Sequence, residues 1–431
     1  NRVRNNTMDL LGVETALLIQ TQVLKSWNWN RNYSVKYDLT QALKFDYTGQ
    51  ATALIGEPAG VIPTQEGDLE GYNFYTDTVR TNLLGAGDIT SYNHNANGSY
   101  KLPFDKIPLM DFVTGDVRYQ SSFRWDRAPF AQDTLGSTIQ NSRNLSLNGQ
   151  ANFLKLYNKV PFLKKINNKR PKRPTSSNAS NQSRDGFGEL KDEEKKEKIE
   201  INPIEHILRF VMGVQSISGS FSRNEGILLP GFSETSKYGG FDENLESPGI
   251  LFLLGHQNTD VFGNKSSDFA MDAAANGWLV QQPYLNQQYT ESFTENFNVR
   301  MNLEPIKHFK IELTANRSTS RNYQSFFRYD EEFDDWIYES PNETGNFTAT
   351  VMSWPTAFID DDEEYNSEIW DDLLLSRLEI SSRLNEENFN LADPNPTGYY
   401  QGWVPTTQDV AIPAFMSAYL GIGPKTVALD V

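Results

Sequence analysis

Side chains able to do chemistry are few in this sequence and widely scattered. The four histidines are His94, His206, His256 and His308, and none lies at the spacing of a zinc site, so each is most simply a surface or loop residue. The chain has no cysteine, which removes disulfides, thiolate metal sites and cysteine nucleophiles. The phosphate-binding glycine loops and nucleophile elbows of common enzymes do not occur either. We therefore expect a protein that is not an enzyme and has no catalytic, cofactor-binding or metal residues.

One acidic run could supply oxygen ligands to a cation. It consists of Asp360, Asp361, Asp362, Glu363 and Glu364. Calcium takes six to eight such ligands, but the run lacks the regular spacing of a known calcium loop. A solvated acidic surface is the simpler interpretation, and the sequence leaves calcium binding open.

Composition narrows the class of partner. The 431 residues carry 39 Lys and Arg against 56 Asp and Glu, a net charge of −17, which argues against a nucleic-acid partner. Aromatic residues make up 12% of the chain, although its mean hydropathy is −0.56. No apolar run reaches the roughly 20 residues of a membrane-spanning helix. The chain starts at Asn1 without a signal peptide, and we interpret it as an internal fragment of a longer protein.

Alternation of apolar and polar residues is the strongest pattern in the sequence. From Tyr289 to Leu303 the odd positions are largely apolar and the even positions polar, which predicts a strand with one apolar face. After a short turn at residues 304–307, the same alternation continues from Phe309 to Ala315, so the two segments predict an antiparallel hairpin. Similar segments elsewhere bring the prediction to about nine strands. Long alternating strands are typical of a tilted barrel wall.

Four regions follow from these patterns. Residues 1–167 hold strands and loops, residues 168–200 a charged linker, residues 201–320 strands with an extended loop, and residues 321–431 a strand, the acidic run, a helix and a partner or plug-type loop region. The linker is rich in Lys, Ser and Asn and is expected to be disordered. Helices are predicted at residues 153–166, 204–212 and 367–384.

The fold class expected is mainly β, an antiparallel transmembrane β-barrel segment with long loops and a few short helices. A soluble sandwich also explains alternating strands, since it too buries one face. Strand length favours the membrane barrel, whose lumen face is polar and whose lipid face is apolar. Four aromatic residues at strand ends are then expected to form an interfacial girdle. They are Trp27, Trp29, Tyr33 and Trp125.

Several short motifs, in order along the chain, resemble the SprA/Sov family, the giant outer-membrane component of the type IX secretion system of Bacteroidetes. They are KSWNWNRNY at 25–33, YKLP at 100–103, KIPL at 106–109, LPGF at 229–232, SPG at 247–249 with Phe252 and Gly255, and DVAIPAF at 409–415. Each motif alone is weak, and their order makes the resemblance more specific.

The resemblance implies a segment of a very large barrel in the cell outer membrane that exports folded cargo, including gliding adhesins and secreted enzymes. It implies three kinds of protein partner, namely a PorV-type outer-membrane barrel, a periplasmic plug protein and the secreted cargo, besides membrane lipid. A lumen that passes cargo is expected to be polar and acidic on balance. The family offers no catalytic residues to carry over.

Candidate partner or gating loops come from the same motifs. The residues are Leu229, Pro230, Gly231, Phe232, Pro248, Gly249, Ile412, Pro413 and Phe415. The simpler explanation is that Pro and Gly shape turns there. Two other functions stay open, another outer-membrane barrel such as a nutrient receptor or porin, and a soluble β-rich surface adhesin. The short turn near Pro305 is expected on the periplasmic side and the longer loops on the cell surface.

Overall fold

The computed structural model describes residues 2–6, 23–168, 212–260, 265–306, 308–364, 366–387, 393–427 and 429. The expected linker at 168–200 and the expected helix at 204–212 therefore lie almost wholly outside the described residues. Everything below concerns the described part of the chain.

A single antiparallel sheet dominates the structure, and each strand pairs with its neighbours in chain order. Nine long strands follow one another, and one short strand adds to the first of them. The strands are β1 (Arg2–Asn6), β2 (Val23–Asp38), β3 (Leu43–Leu54), β4 (Asp88–Lys101), β5 (Val113–Asp126), β6 (Ser137–Asn152), β7 (Val214–Phe232), β8 (Tyr289–Ile306), β9 (Phe309–Asp330) and β10 (Asp335–Ala349). The predicted hairpin of residues 289–315 is confirmed as β8 and β9, and β9 continues well past residue 320, the expected boundary between regions.

Register collects the apolar positions of neighbouring strands on one side. Phe297 of β8 lies opposite Phe221 of β7, and Met301 lies opposite Leu313 of β9. Because side chains alternate along every strand, this pairing separates an apolar face from a polar face across the whole sheet. We call the side that carries Phe297 the apolar face and the side that carries Asn298 the polar face.

Short and long connections occur at both ends of the sheet. At one end, which we call the turn end, residues 39–42 form a tight turn and Ile306 pairs with Phe309, and the connections of residues 102–112 and 153–213 also lie there. At the opposite end, the insertion end, lie the connections of residues 55–87, 127–136 and 233–288 and the short turn of residues 331–334. The connection of residues 233–288 folds back over the apolar face, and we call its described residues, 233–260 and 265–288, the cover.

Seven α-helices are described, and all lie outside the strands. They are α1 (Leu69–Leu84), α2 (Phe153–Lys159), α3 (Pro161–Asn168), α4 (Ile250–Leu253), α5 (Phe269–Ala275), α6 (Glu368–Glu387) and α7 (Gln408–Leu420), with 3-10 turns at Phe104–Lys106 and Phe130–Leu135. The predicted helix at 367–384 is confirmed as α6. The predicted helix at 153–166 is divided in two, because Val160 precedes Pro161 and takes extended angles of φ −85° and ψ 112°.

The helices α6 and α7 pack together and form a core of their own. Leu373, Ile380 and Leu384 of α6 pack against Val410 and Ala414 of α7. Small side chains on α7 allow the close approach, as the contact between the hydroxyls of Ser376 and Ser417 at 3.3 Å shows. The pair follows β10 in the chain, which leaves the sheet at the turn end.

The expectation of a mainly β, antiparallel fold with a few helices is confirmed. Within the described residues the sheet is not closed, since β10 pairs only with β9 and no bond joins it to β1 or β2. No helix in the described ranges is long and apolar enough to cross a membrane.

Candidate functional site

The polar face of the sheet is concave. A trough of about 830 Å³ crosses it from β3 to β9 near the turn end. Its lining includes Lys44, Asp116, Arg118, Asn148, Ser220, Asn298, Arg300 and Asn316. A second trough, of about 460 Å³, continues toward the insertion end and is lined mainly by amides and hydroxyls such as Asn144, Asn224 and Ser292. The curved sheet therefore encloses hydrophilic side chains on its inner side.

Charged residues on the polar face are neutralised in pairs. The pairs are Asp38 with Lys44 at 3.9 Å, Asp116 with Arg118 at 3.1 Å, Asp126 with Arg124 at 2.5 Å, and Glu312 with Arg300 at 3.0 Å. Beyond these pairs the face carries the charged residues Lys36, Asp46 and Lys101, and otherwise mainly Asn, Ser, Thr and Gln. The described part of this face is thus polar with little net charge, while its role as the lining of a lumen stays a prediction.

The opposite, apolar face leaves large side chains exposed in the half nearest the turn end. We call this set the apolar band, and its exposed members are Val35, Tyr37, Phe45, Tyr100, Tyr119, Leu147, Phe297 and Leu313. Phe297 and Leu313 expose 45% and 48% of their surface. A contiguous band of this kind is unusual on a protein surrounded by water and marks contact with another apolar phase or partner.

The cover buries the other half of the apolar face. Trp125 of β5 and Tyr289 of β8 are fully buried beneath it, together with Phe252 of α4. The indole of Trp125 donates to the carbonyl of Glu234 at 3.0 Å. The expectation that Trp125 belongs to an interfacial girdle is wrong because the cover encloses it, whereas Trp29 and Tyr33 remain 37% and 40% exposed.

Two glycines allow the cover to approach the sheet closely. Gly240 has a φ of +104°, and a Cβ there would lie 2.7 Å from Leu253 and 3.2 Å from both Phe123 and Tyr92. A Cβ on Gly255 would lie 2.9 Å from the Cβ of Ser121. At these positions any larger residue would push the cover away from the strands.

Buried polar side chains on the sheet fix the end of α4. Asn141 donates to the carbonyls of Phe252 at 3.1 Å and of His256 at 2.9 Å, and it accepts from the Gln257 amide at 2.9 Å. His94 Nε2 lies 2.9 Å from the Leu253 carbonyl, which can only accept, so this nitrogen carries the hydrogen. Because buried amides and carbonyls are costly to leave unpaired, these contacts hold the cover in one position.

Two ion pairs lie on the strands between the cover and the apolar band. Glu225 of β7 binds Arg143 of β6 and also accepts from the Thr259 hydroxyl of the cover. Arg223 binds Glu295 at 2.5 Å and 3.1 Å. Charges so enclosed are stable only while both partners remain, so they tie the cover to β6, β7 and β8.

A third group of contacts joins the cover to β8 and β10. The Asn258 amide donates to the Tyr289 hydroxyl at 3.0 Å and to Glu291 at 2.7 Å. The Tyr338 hydroxyl donates to Asp268 at 2.6 Å, next to the start of α5. The cover is therefore anchored across the sheet from β4 to β10.

The predicted loop at residues 229–232 forms the end of β7 and enters the core. Leu229 and Phe232 are 0% and 2% exposed, and Pro230 and Gly231 are buried with them. Gly231 has a φ of +80° where the chain turns into the cover. This segment positions the cover and presents no free surface of its own, while a partner or gating role stays a prediction.

Pro248 and Gly249 lie within the cover, just before α4. Pro248 is buried, and Gly249 begins the helix with a φ of +88°, an angle that favours glycine. Phe252 of the helix that Gly249 begins belongs to the same core beneath the cover as Phe232.

Ile412, Pro413 and Phe415 lie elsewhere, in the pair of helices α6 and α7. The expected loop at 409–415 is wrong, because these residues form part of α7. Pro413 is buried inside that helix, and Phe415 is 42% exposed and stacks on Tyr419 with ring centroids 4.3 Å apart. The helix tolerates the proline because its small and apolar residues pack on α6.

The acidic run is an exposed turn. The Asn366 side chain donates to Asp362 at 2.9 Å and its backbone amide donates at 2.8 Å, so these bonds hold the pKa of the Asp362 carboxyl below its usual range. No group of three or more acidic or histidine side chains converges as a metal site in the ranges that the structure describes. Calcium binding by this run stays untested.

Sequence reasoning missed the buried polar contacts of the cover. A usable indication existed, since Asn141, Arg143, Arg223 and Glu225 interrupt the apolar face just where it becomes covered. Polar residues on an otherwise apolar face indicate that a second layer of protein packs there.

Comparisons with known proteins do not assign the chain to a family. No family model matches the chain, and no curated protein matches it.

Proposed function

We propose that this chain forms part of the wall of a large β-barrel in the cell outer membrane and that the barrel conducts folded proteins outward. The observation that carries the proposal is the two-faced sheet. Its concave side is lined with neutral amides and hydroxyls and with paired charges, while its opposite side exposes the apolar band. A barrel wall between water and lipid needs this distribution of side chains.

The polar face suits the passage of protein cargo. Asn and Ser side chains offer hydrogen bonds that water can exchange, and the paired charges give no strong field to hold a charged surface. A folded cargo would therefore meet a surface rich in amides and hydroxyls, on which most charges are paired. The neutral character serves passage better than the acidic lumen first expected.

The open sheet fits a pore wider than ten strands can enclose. Barrel diameter grows with strand number, and a pore for a folded domain needs many strands. Further strands would pair with the free edge of β10 and extend the wall. As the resemblance implies, we assign the barrel to the type IX secretion system, with a PorV-type barrel, a periplasmic plug and secreted cargo as its partners.

We propose the orientation from the tightest turns and the cover. Barrel turns are short on the periplasmic side and long on the cell surface, so the end with the turn at residues 39–42 and the pairing of Ile306 with Phe309 would face the periplasm, and the cover would lie near the surface. The connection of residues 153–213 at the turn end and the short turn of residues 331–334 at the insertion end are exceptions to that rule. Single cysteines at Pro305 and Leu245 test this in intact cells, since Leu245 is 58% exposed in the cover whereas Phe232 is buried. Labelling by an impermeant reagent is expected at Leu245 alone, and equal labelling of both positions would overturn the orientation.

The decisive experiment for function combines location with secretion. The full protein is expressed in its native host, membranes are fractionated, and export of several unrelated surface proteins is followed with and without the gene. We expect a heat-modifiable, β-rich protein in the outer membrane whose loss stops export. A protein that is water-soluble without detergent, with secretion unchanged, would replace this proposal by a surface adhesin. An outer-membrane location with normal secretion would favour a nutrient receptor or porin.

A further inference from the structure

The helix α4 is apolar on all sides but packs against the protein on only one. Phe252 and Leu253 face the sheet and are 3% and 2% exposed. Ile250, Leu251 and Leu254 point away from it and are 54%, 64% and 45% exposed. A helix that is apolar all round normally has apolar surroundings on every side, so its outer side lacks a matching environment within the described structure.

The polar backbone of this segment is prepared for removal from water. Every carbonyl from Gly249 to Leu254 accepts a hydrogen bond. The first three accept from backbone amides of the same segment, and those of Phe252, Leu253 and Leu254 accept from side chains of the sheet. Water would satisfy such groups at an ordinary exposed helix end, whereas a lipid phase requires protein donors for all of them.

The outer side of α4 is continuous with the apolar band. The Tyr119 hydroxyl donates to the Leu254 carbonyl at 2.5 Å. On β5, Tyr119 is the member of the band that lies nearest the insertion end. Leu254 of α4 thus lies next to the band at Tyr119, and at this point the apolar surface extends from the strand to the helix.

The strand that α4 contacts supplies too short a belt for a membrane. On β5 the apolar-face positions outside the cover run from Val113 to Tyr119, roughly 20 Å along the strand at about 3.3 Å per residue. At a strand tilt of about 40° this length covers about 15 Å of depth, whereas outer-membrane barrels carry an apolar belt about 25 Å tall. The missing depth of about 10 Å matches the width of one helix.

We propose that the outer side of α4 is a lipid-contacting surface, formed by Ile250, Leu251 and Leu254, which completes the apolar belt toward the cell surface. The occupant is the acyl chains of the bilayer. This inference rests on the proposed membrane location. It assigns the cover a second role, as part of the lipid-facing wall.

Spin labels test the assignment, because the chain contains no cysteine and each introduced one is unique within it. Leu251→Cys is labelled in the full protein, which is reconstituted in phosphatidylcholine liposomes. Collision rates are measured with oxygen, which concentrates in lipid, and with a water-soluble nickel chelate. Phe297→Cys in the band is the lipid reference. Leu375→Cys in α6 is the matched control, since Leu375 is also 64% exposed but belongs to a helix whose core is separate from that of the sheet.

We expect the label at Leu251 to behave like that at Phe297, with the ratio of oxygen to nickel collisions at least fivefold above that at Leu375. A ratio at Leu251 equal to that at Leu375, with Phe297 still in lipid, would overturn the role of α4 and leave the barrel wall standing. A ratio at Phe297 equal to that at Leu375 would instead refute the membrane location itself.

Discussion

Asn141→Ala is the substitution that most directly probes how the cover is held. The Asn141 side chain is fully buried and makes three hydrogen bonds to the cover, at 2.9 Å to 3.1 Å. At a net contribution of about 1 kcal/mol per bond, its removal weakens the closed position of the cover by about 3 kcal/mol. Since about 1.4 kcal/mol corresponds to a tenfold change, the open population rises about a hundredfold.

Hydrogen exchange followed by mass spectrometry measures this change in the full protein. Peptides that include the amides of Leu254 and His256 should exchange about a hundredfold faster in Asn141→Ala, while peptides from β8 and β9 keep their rates. Asn144→Ala is the control, because Asn144 lies on the same strand but on the polar face, where its side chain donates to Asn224. Exchange at 254–256 that changes less than threefold, or equally in both variants, would refute this account of the cover.

Three further predictions concern close approach, buried charge and pH. Gly240→Ala should lower the free energy of unfolding by about 3 kcal/mol, because the added methyl group overpacks the core and the φ becomes strained. Gly239→Ala should lower it by about 1 kcal/mol, because a Cβ there meets nothing within 4 Å and only the φ is strained. Equal denaturation midpoints for the two variants would contradict this. Glu225→Gln should lower the free energy of unfolding by about 3 kcal/mol, because it leaves the buried charge of Arg143 uncompensated. Glu343→Gln, in an exposed pair with Arg321, should lower it by less than about 1 kcal/mol. Denaturant titration of both variants measures the difference. The pKa of Asp362 is lowered in the folded state. Its turn is therefore stabilised at every pH above the pKa of the unfolded chain, about 3.9, and it loses that stabilisation as the pH falls through the lower pKa of the folded state. Intrinsic-rate-corrected exchange in that turn should show the loss, and Asp362→Asn should abolish it.

The sheet could be predicted from the sequence because the alternation of apolar and polar residues that defines a strand is a local pattern. Alternation from Tyr289 to Leu303 and again from Phe309 determines which face each residue occupies, and the short turn between them sets the pairing. The helix α6 was predicted for the same reason, from its stripe of apolar residues. These elements need no knowledge of distant residues.

The cover could not be predicted, because it depends on contacts between segments far apart in the chain. Asn141 reaches Phe252 across more than a hundred residues, and no spacing in the sequence indicates this meeting. Trp125 has the composition of an interfacial residue and becomes buried only because the cover folds over it. The helix α7 was missed for another reason. A proline such as Pro413 normally disfavours the interior of a helix, but packing against α6 stabilises this helix despite the proline.

Cysteine scanning along β8 tests the central claim most directly. Each residue from 297 to 302 is replaced in turn by cysteine in the full protein, and a membrane-impermeant maleimide is applied to native outer membranes. We predict an alternating result, with the even positions labelled from a water-filled lumen and the odd positions protected by lipid. Labelling that shows no alternation, or that favours the odd positions, would contradict a barrel wall with its polar face toward the pore.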